Sequence, residues 1–189
     1  MAGFSLTNAE VKVRYCINDT SQSNKQIETY VASDVFTLDE DNPITVSTVL
    51  LNDVEQSTDD WSYDSDTGKV TITFSASVDD TIEIQYTYYS KYSSAEIQNF
   101  IRRALVELSI NQYETYVVSN STIYPDPGRD AENLIAAVAA ILIKPDNKSY
   151  RLPDLQVNVS LQNVKPTYLI VRDLIAKAKK SKSGIISIE

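Results

Sequence analysis

The sequence predicts an α+β protein: an N-terminal antiparallel β-rich module, then a three-helix domain, then an extended C-terminal tail. Three observations carry this reading. Apolar residues recur every second position through the first half and every third or fourth position from residue 97 onward. Charge divides at the same place, with 16 acidic and 5 basic groups in residues 1–92 against 10 and 12 in residues 93–189. At the junction, Ser93-Ser94-Ala95-Glu96 has the spacing of a capping box, a hydroxyl followed three residues later by a carboxylate.

Along the first half, alternation marks strands at Val11–Ile17, which includes Cys16, at Ile27–Val31, at Val70–Phe74 and at Thr81–Tyr89. These stretches are rich in Thr, Val, Ile and Tyr, which fit a pleated and half-buried surface. Turn residues separate them at Asp41-Asn42-Pro43, Asn52-Asp53, Asp64-Ser65-Asp66-Thr67-Gly68 and Val78-Asp79-Asp80. Closely spaced strands with short turns predict a meander or small sandwich over residues 1–92.

In the second half, Ile97, Phe100, Ile101, Ala104, Leu105 and Leu108 keep one helical stripe, predicting a helix over 94–112. A second helix is expected from Asp126-Pro127 to Lys144, with proline at its first position and Pro145 ending it. Its run Leu134–Ile143 is apolar on every side, so other elements or other subunits must surround it. Leu155–Leu161 alternates and suits a strand or an extended arm. The third helix spans Pro166 to Lys182, with the stripe Val171, Leu174, Ile175 and Ala178 and with lysines in its last turns, where cations suit the helix dipole. The helical domain is therefore placed at 93–182. Residues 183–189, Ser-Gly-Ile-Ile-Ser-Ile-Glu, follow as a tail whose isoleucines suit addition to a sheet edge.

Composition narrows the chemistry. The 189 residues include no histidine, one cysteine, one methionine and four glycines, and the net charge is −9. Histidine acid–base catalysis, Cys/His zinc sites and intrachain disulfides are excluded, and a phosphate-cradling glycine loop is barely possible. The N-terminus has no basic-then-apolar pattern, and the longest apolar run is half a membrane span, so a soluble protein made in a reducing cytoplasm is expected. Cys16 reads as a small hydrophobe on a strand. Asp64–Gly68 begins like a calcium loop but lacks the downstream bidentate glutamate, and a hairpin turn with glycine in the left-handed region is the better reading. Asp39-Glu40-Asp41 and Asp59-Asp60 could pair as glycosidase carboxylates, yet solvated turns account for them. No catalytic residue, metal or cofactor is expected.

Contact surfaces remain. The lysines ending the third helix, Lys177 and Lys180 among them, are either a solvated helix end or an interface with an acidic partner such as the acidic half of another copy. An overall acidic chain argues against a nucleic-acid grip. Trp61 and the twelve tyrosines suit protein docking better than sugar stacking.

The stretch from Tyr88-Tyr89-Ser90-Lys91-Tyr92-Ser93-Ser94-Ala95-Glu96-Ile97 onward resembles the head–tail connector (adaptor, neck) proteins of tailed bacteriophages. The resemblance covers roughly residues 88–189. It is carried by the capped helix Ile97–Leu108, by Tyr113-Glu114-Thr115-Tyr116, and by the lead Ile123-Tyr124-Pro125-Asp126-Pro127 into a buried helix. The helix end Ile141-Leu142-Ile143-Lys144-Pro145-Asp146 and the basic last helix with its isoleucine tail complete it. The acidic first half looks like an inserted or decorating module. The resemblance implies a non-catalytic virion protein, made in the bacterial cytoplasm. It would form a homo-oligomeric ring, expected to be a dodecamer, between the portal and a stopper or tail-terminator protein. Genomic DNA would pass through without specific binding, and no membrane would be involved. Ile185, Ile186, Ile188, Lys177, Lys180, Tyr113 and Tyr116 would carry its contacts. The competing expectation is a tail or baseplate module that binds host carbohydrate through the β-rich half.

Overall fold

The computed structural model describes residues 4–144, 149–152, 155–158 and 166–182. It is mixed α and β with antiparallel sheets, and it divides into two compact units. One unit joins Met1–Asn18 to Ser94–Glu189, and the other is Asp19–Ser93. The β-rich unit is therefore an insert, and the boundary expected at residue 92 is only its second edge. Its first edge falls at residue 18, because the opening segment is helical.

That segment, α1 (Leu6–Ile17), overturns the strand expected at Val11–Ile17. Leu6, Ala9, Val13, Cys16 and Ile17 form a buried helical stripe, whereas Val11 and Tyr15, which alternation would place inside, are each 61% exposed. A window of seven residues satisfied both periods. The decisive local signals lie at its ends: the Ser5 hydroxyl accepts from the Asn8 amide at 3.1 Å, and Asn18 takes the left-handed conformation that closes the helix.

The insert is a small sandwich. One sheet has the order β1 (Ser21–Thr29), β7 (Thr81–Tyr89), β3 (Pro43–Leu51), β4 (Val54–Glu55). The other has the order β2 (Val35–Thr37), β6 (Lys69–Ile72), β5 (Trp61–Asp64). Phe36, Leu38, Val46, Val49, Val70, Ile72, Ile82, Ile84 and Tyr86 form the core between them. Asn52-Asp53 and Gly68 turn the chain in the left-handed region, as their residue types require. At Asp64, Oδ1 accepts the Asp66 amide at 2.9 Å and Oδ2 accepts the Thr67 hydroxyl at 2.7 Å, so the supposed calcium loop is a hairpin turn.

Strand β1 runs in the opposite phase to the one its apolar residues suggest. Ile27 is 56% exposed and Gln26 is buried. The Gln26 side chain acts as a missing backbone bridge between the sheets: its Oε1 accepts the Asp39 amide and its Nε2 donates to the Thr37 carbonyl, both at 3.0 Å. Replacing Gln26 with leucine removes both bridging hydrogen bonds, each worth about 0.5–1.5 kcal/mol net. The expected outcome is a lower urea midpoint followed through the emission of Trp61, the single tryptophan of the chain.

Acid should weaken the same unit. Hydrogen bonds from Thr67 and the Asp66 amide hold the Asp64 carboxyl below its ordinary value, those from Asn52 and the Ser77 amide do so for Asp80, and those from Gln85 and Lys25 for Glu83. A native value below the unfolded one stabilises the fold wherever the group is ionised in both states. That contribution shrinks as pH falls below about 4 and is gone below the native value. The Trp61-detected urea midpoint should therefore fall between pH 6 and pH 3, and it should fall less in Asp64→Ala, which has already lost its share.

In the helical unit, α2 (Ser94–Ile110) begins directly after Ser93 and buries Ile97, Ile101, Ala104, Leu105 and Leu108, as the stripe predicts. A hairpin, β8 (Val117–Ser119) and β9 (Thr122–Tyr124), leads to α3 (Arg129–Ile143), and β10 (Ser149–Leu152) pairs with β11 (Leu155–Asn158) before α4 (Thr167–Lys182). Helix α3 packs against α1, α2 and α4 of its own chain. Ten of its fifteen residues are buried. It starts later than Asp126-Pro127 suggests, with Gly128 as its N-cap, because Asp126 instead accepts the Phe4 amide at 3.0 Å. The N-terminal segment thereby lies along the hairpin, with the Ile123 amide bonded to the Phe4 carbonyl and the Leu6 amide to the Ser121 carbonyl.

Candidate interaction surfaces

The residues expected to make contacts separate into three groups. Lys177 and Lys180 lie exposed on α4, opposite Val171 and Ile175, which are fully buried. Exposed Lys179 reaches back to the Asn111 carbonyl at 3.1 Å, where α2 ends. This end of α4 is a cationic surface on a helix anchored by its other face.

Tyr113 and Tyr116 lie just after α2. The Tyr113 amide donates to the Leu108 carbonyl and the Gln112 amide to the Ser109 carbonyl, with Gln112 at φ 55°, a helix stop usually built on glycine. The Tyr113 side chain is half-buried. Tyr116 is 6% exposed, and its hydroxyl donates to Glu114 at 2.9 Å. Burial first, and then that hydrogen bond, push its ionisation well above the ordinary tyrosine range. Tyr116 thus belongs to the interior of the helical unit rather than to a contact surface. Ile185, Ile186 and Ile188 lie outside the described residues, as does the whole segment 183–189.

The candidates weighed for chemistry settle into structural places. Cys16 is buried on α1, and loss of water pushes its thiol up to about 12, so it is held as the neutral thiol. Asp59 and Asp60 belong to a turn, with the Asp60 amide on the Ser57 carbonyl. No group of three or more potential metal ligands occurs among the described residues. Trp61 packs partly buried against the sandwich core, with its indole nitrogen shielded from solvent.

A buried polar cluster escaped the sequence reading. Glu10 and Arg14, four residues apart on α1, form an ion pair at 2.8 Å with side chains 8% and 4% exposed. The Ser94 hydroxyl donates to Glu10 Oε1 at 2.8 Å, and Gln98 Nε2 donates to Oε2 at 3.2 Å. The cluster ties α1 to the first turn of α2, next to the two places where the chain leaves and re-enters this unit. Lys12 adds a second tie from α1, reaching Glu132 at 2.8 Å and Asn133 at 2.9 Å in the first turn of α3. Lys144 adds a third, donating to the Ile17 carbonyl at 2.9 Å. Glutamate and arginine at i, i+4 signal a helix pair, but only once the segment is read as helical.

No protein-family model matches the chain, and no curated protein matches it. Among the described residues, no helix is long and apolar enough to cross a membrane.

Proposed function

We propose that this protein is a structural virion component of a tailed bacteriophage, a connector subunit that joins the portal to the neck or tail. Copies would form a ring, a dodecamer, with a stopper or tail-terminator protein on the far side and DNA passing through the centre. The observation that carries the reading is the insertion. A β module, Asp19–Ser93, is set into a helical unit made of Met1–Asn18 and Ser94–Glu189, and the stretch whose sequence resembles connectors, roughly residues 88–189, falls almost wholly in that helical unit. The module enters and leaves through paired strand ends, Ser21 opposite Tyr89, so it can be added to a helical scaffold without rearranging it.

Charge supports the same reading. The insert holds 15 acidic and 3 basic residues, while the helical unit holds 11 and 14. The structural boundary thus sorts charge more sharply than the midpoint of the sequence does. Unlike patches on one chain favour head-to-tail contacts, which close into a ring where the rotation between copies allows it. An acidic surface beside a channel also avoids gripping DNA that must slide.

The test is quantification of this chain by peptide mass in density-purified particles, normalised to the portal subunit. A ratio near one to one is the expected result. Absence from particles would overturn the proposal, and a severalfold excess would move the protein to the tail tube or to a decorating role.

A further inference from the structure

The tip of the sandwich farthest from the insertion point has an unusual surface. The registers define that tip: Thr29 lies opposite Thr81, Leu51 opposite Ile82, and Trp61 opposite Ile72, while the chain enters and leaves at the other end, beside the Ser21–Tyr89 pair. Loop contacts bind the tip together. The Tyr30 amide donates to the Asp80 carbonyl, Asn52 Nδ2 donates to Asp80 Oδ1 at 2.8 Å, and the Ile72 and Thr73 amides donate to the Asp34 and Asp60 carbonyls.

Two independent features meet there. Val31, Val35, Val54 and Val78 are 72%, 46%, 63% and 64% exposed, and with Ile27 they are all the large apolar side chains this unit exposes to such a degree. Seven carboxylates stand among them, including exposed Asp53, Glu55, Asp59 and Asp79, and no cation does. The unit's three basic residues are elsewhere: Lys25 is paired with Glu83 at 3.0 Å on the sheet, Lys69 opens β6 at the other end, and Lys91 follows β7. Isolated exposed valines are ordinary, but a group of them confined to one end and ringed by a single sign of charge marks an interaction site.

The same chain carries the complementary chemistry. Residues 177–189 read Lys-Ala-Lys-Lys-Ser-Lys-Ser-Gly-Ile-Ile-Ser-Ile-Glu, four cations followed by three isoleucines. Lys177, Lys179 and Lys180 are exposed on α4, and residues 183–189 follow that helix in sequence. We infer that the acidic, valine-studded tip of the sandwich is the docking site for residues 177–189 of a second copy, with the lysines of that segment against the carboxylates and its isoleucines against the valines. Two unlike patches on one chain that fit each other make a heterologous contact, the kind that propagates from copy to copy. The inference stands on composition and geometry alone and does not require the virion reading.

A fluorescently labelled peptide of residues 177–189, titrated onto the full-length chain and followed by anisotropy, tests it. Saturable binding is expected, weakened at least tenfold in Asp53→Lys/Asp79→Lys and in Val54→Ser/Val78→Ser, and weakened steeply by salt in the wild type. Asp41→Lys/Asp66→Lys, the same charge change at the opposite end of the sandwich, should leave it unchanged. A Trp61-detected urea transition shows that each variant is folded. Two results would overturn the inference: equal binding of a scrambled peptide, or no saturable binding either to the wild-type chain or to a chain in which Ile185→Ser, Ile186→Ser and Ile188→Ser free the tips already occupied by other copies. Neither of them would alter the particle stoichiometry that tests the connector reading.

Discussion

Glu10→Ala is expected to cost the helical unit roughly 3–5 kcal/mol, the loss typical of a buried ion pair stripped of one partner. Glu10 is held by Arg14, Ser94 and Gln98 together, so its removal leaves a guanidinium that is 4% exposed without its carboxylate and frees two further donors. The effect should be local to the helices. The far-UV circular dichroism transition in urea should move to lower denaturant, while the Trp61 emission transition, which reports the sandwich, stays in place. The double variant Glu10→Leu/Arg14→Met should recover much of the loss, because a packed apolar pair avoids the desolvation cost that the charged pair carries. Recovery would show that the charges matter for arrangement more than for net stability. Ser94 opens α2, so the cluster fixes how α1 packs on the first turn of that helix.

The placement of this cluster explains what the sequence did and did not reveal. Helix α2 was legible because its stripe runs for more than three turns and its start carries a polar signal. Strand β7 was legible for the corresponding reason, nine alternating residues with Ile82, Ile84 and Tyr86 inside. Helix α1 was not, since Val11–Ile17 satisfies two periods at once and the side chains that decide between them, Glu10, Lys12 and Arg14, find their partners 80 or more residues away or four residues away on a helix not yet recognised. Missing α1 also hid the insertion, because nothing in a linear reading shows that residues 1–18 pack with residues 94–144. Strand β1 was assigned with its faces reversed, since an isoleucine faces water there and a glutamine carries the inter-sheet bridge. Of the contact residues, the lysines were legible as an exposed helix end, while Tyr116 was not, because tyrosine serves cores and interfaces alike.

The buried helix α3 supports the second large prediction, and it bears on how copies would assemble. A helix apolar on all sides needs cover from other elements or from other subunits, and the cover here comes from α1, α2 and α4 of the same chain. Ile135 and the alanines at 136, 137, 139 and 140 have no exposed surface. Ile135→Ala should cost about 2–5 kcal/mol through lost burial and the cavity left behind. Ala137→Leu should cost about 1–3 kcal/mol for the opposite reason, since added bulk meets helices already in contact. If the chain covers α3 by itself, the denaturation midpoint will not depend on protein concentration in a chain bearing the three tail serine substitutions, which removes any contribution from docking at the tip. A midpoint that rises with concentration over about a hundredfold range would mean that neighbouring copies complete the core, because binding that favours only the native state stabilises by mass action. The expected independence implies subunits that fold first and assemble afterwards through their surfaces. Exposed Lys177 of α4 and the acidic tip are then the places where substitutions should impair assembly without lowering stability.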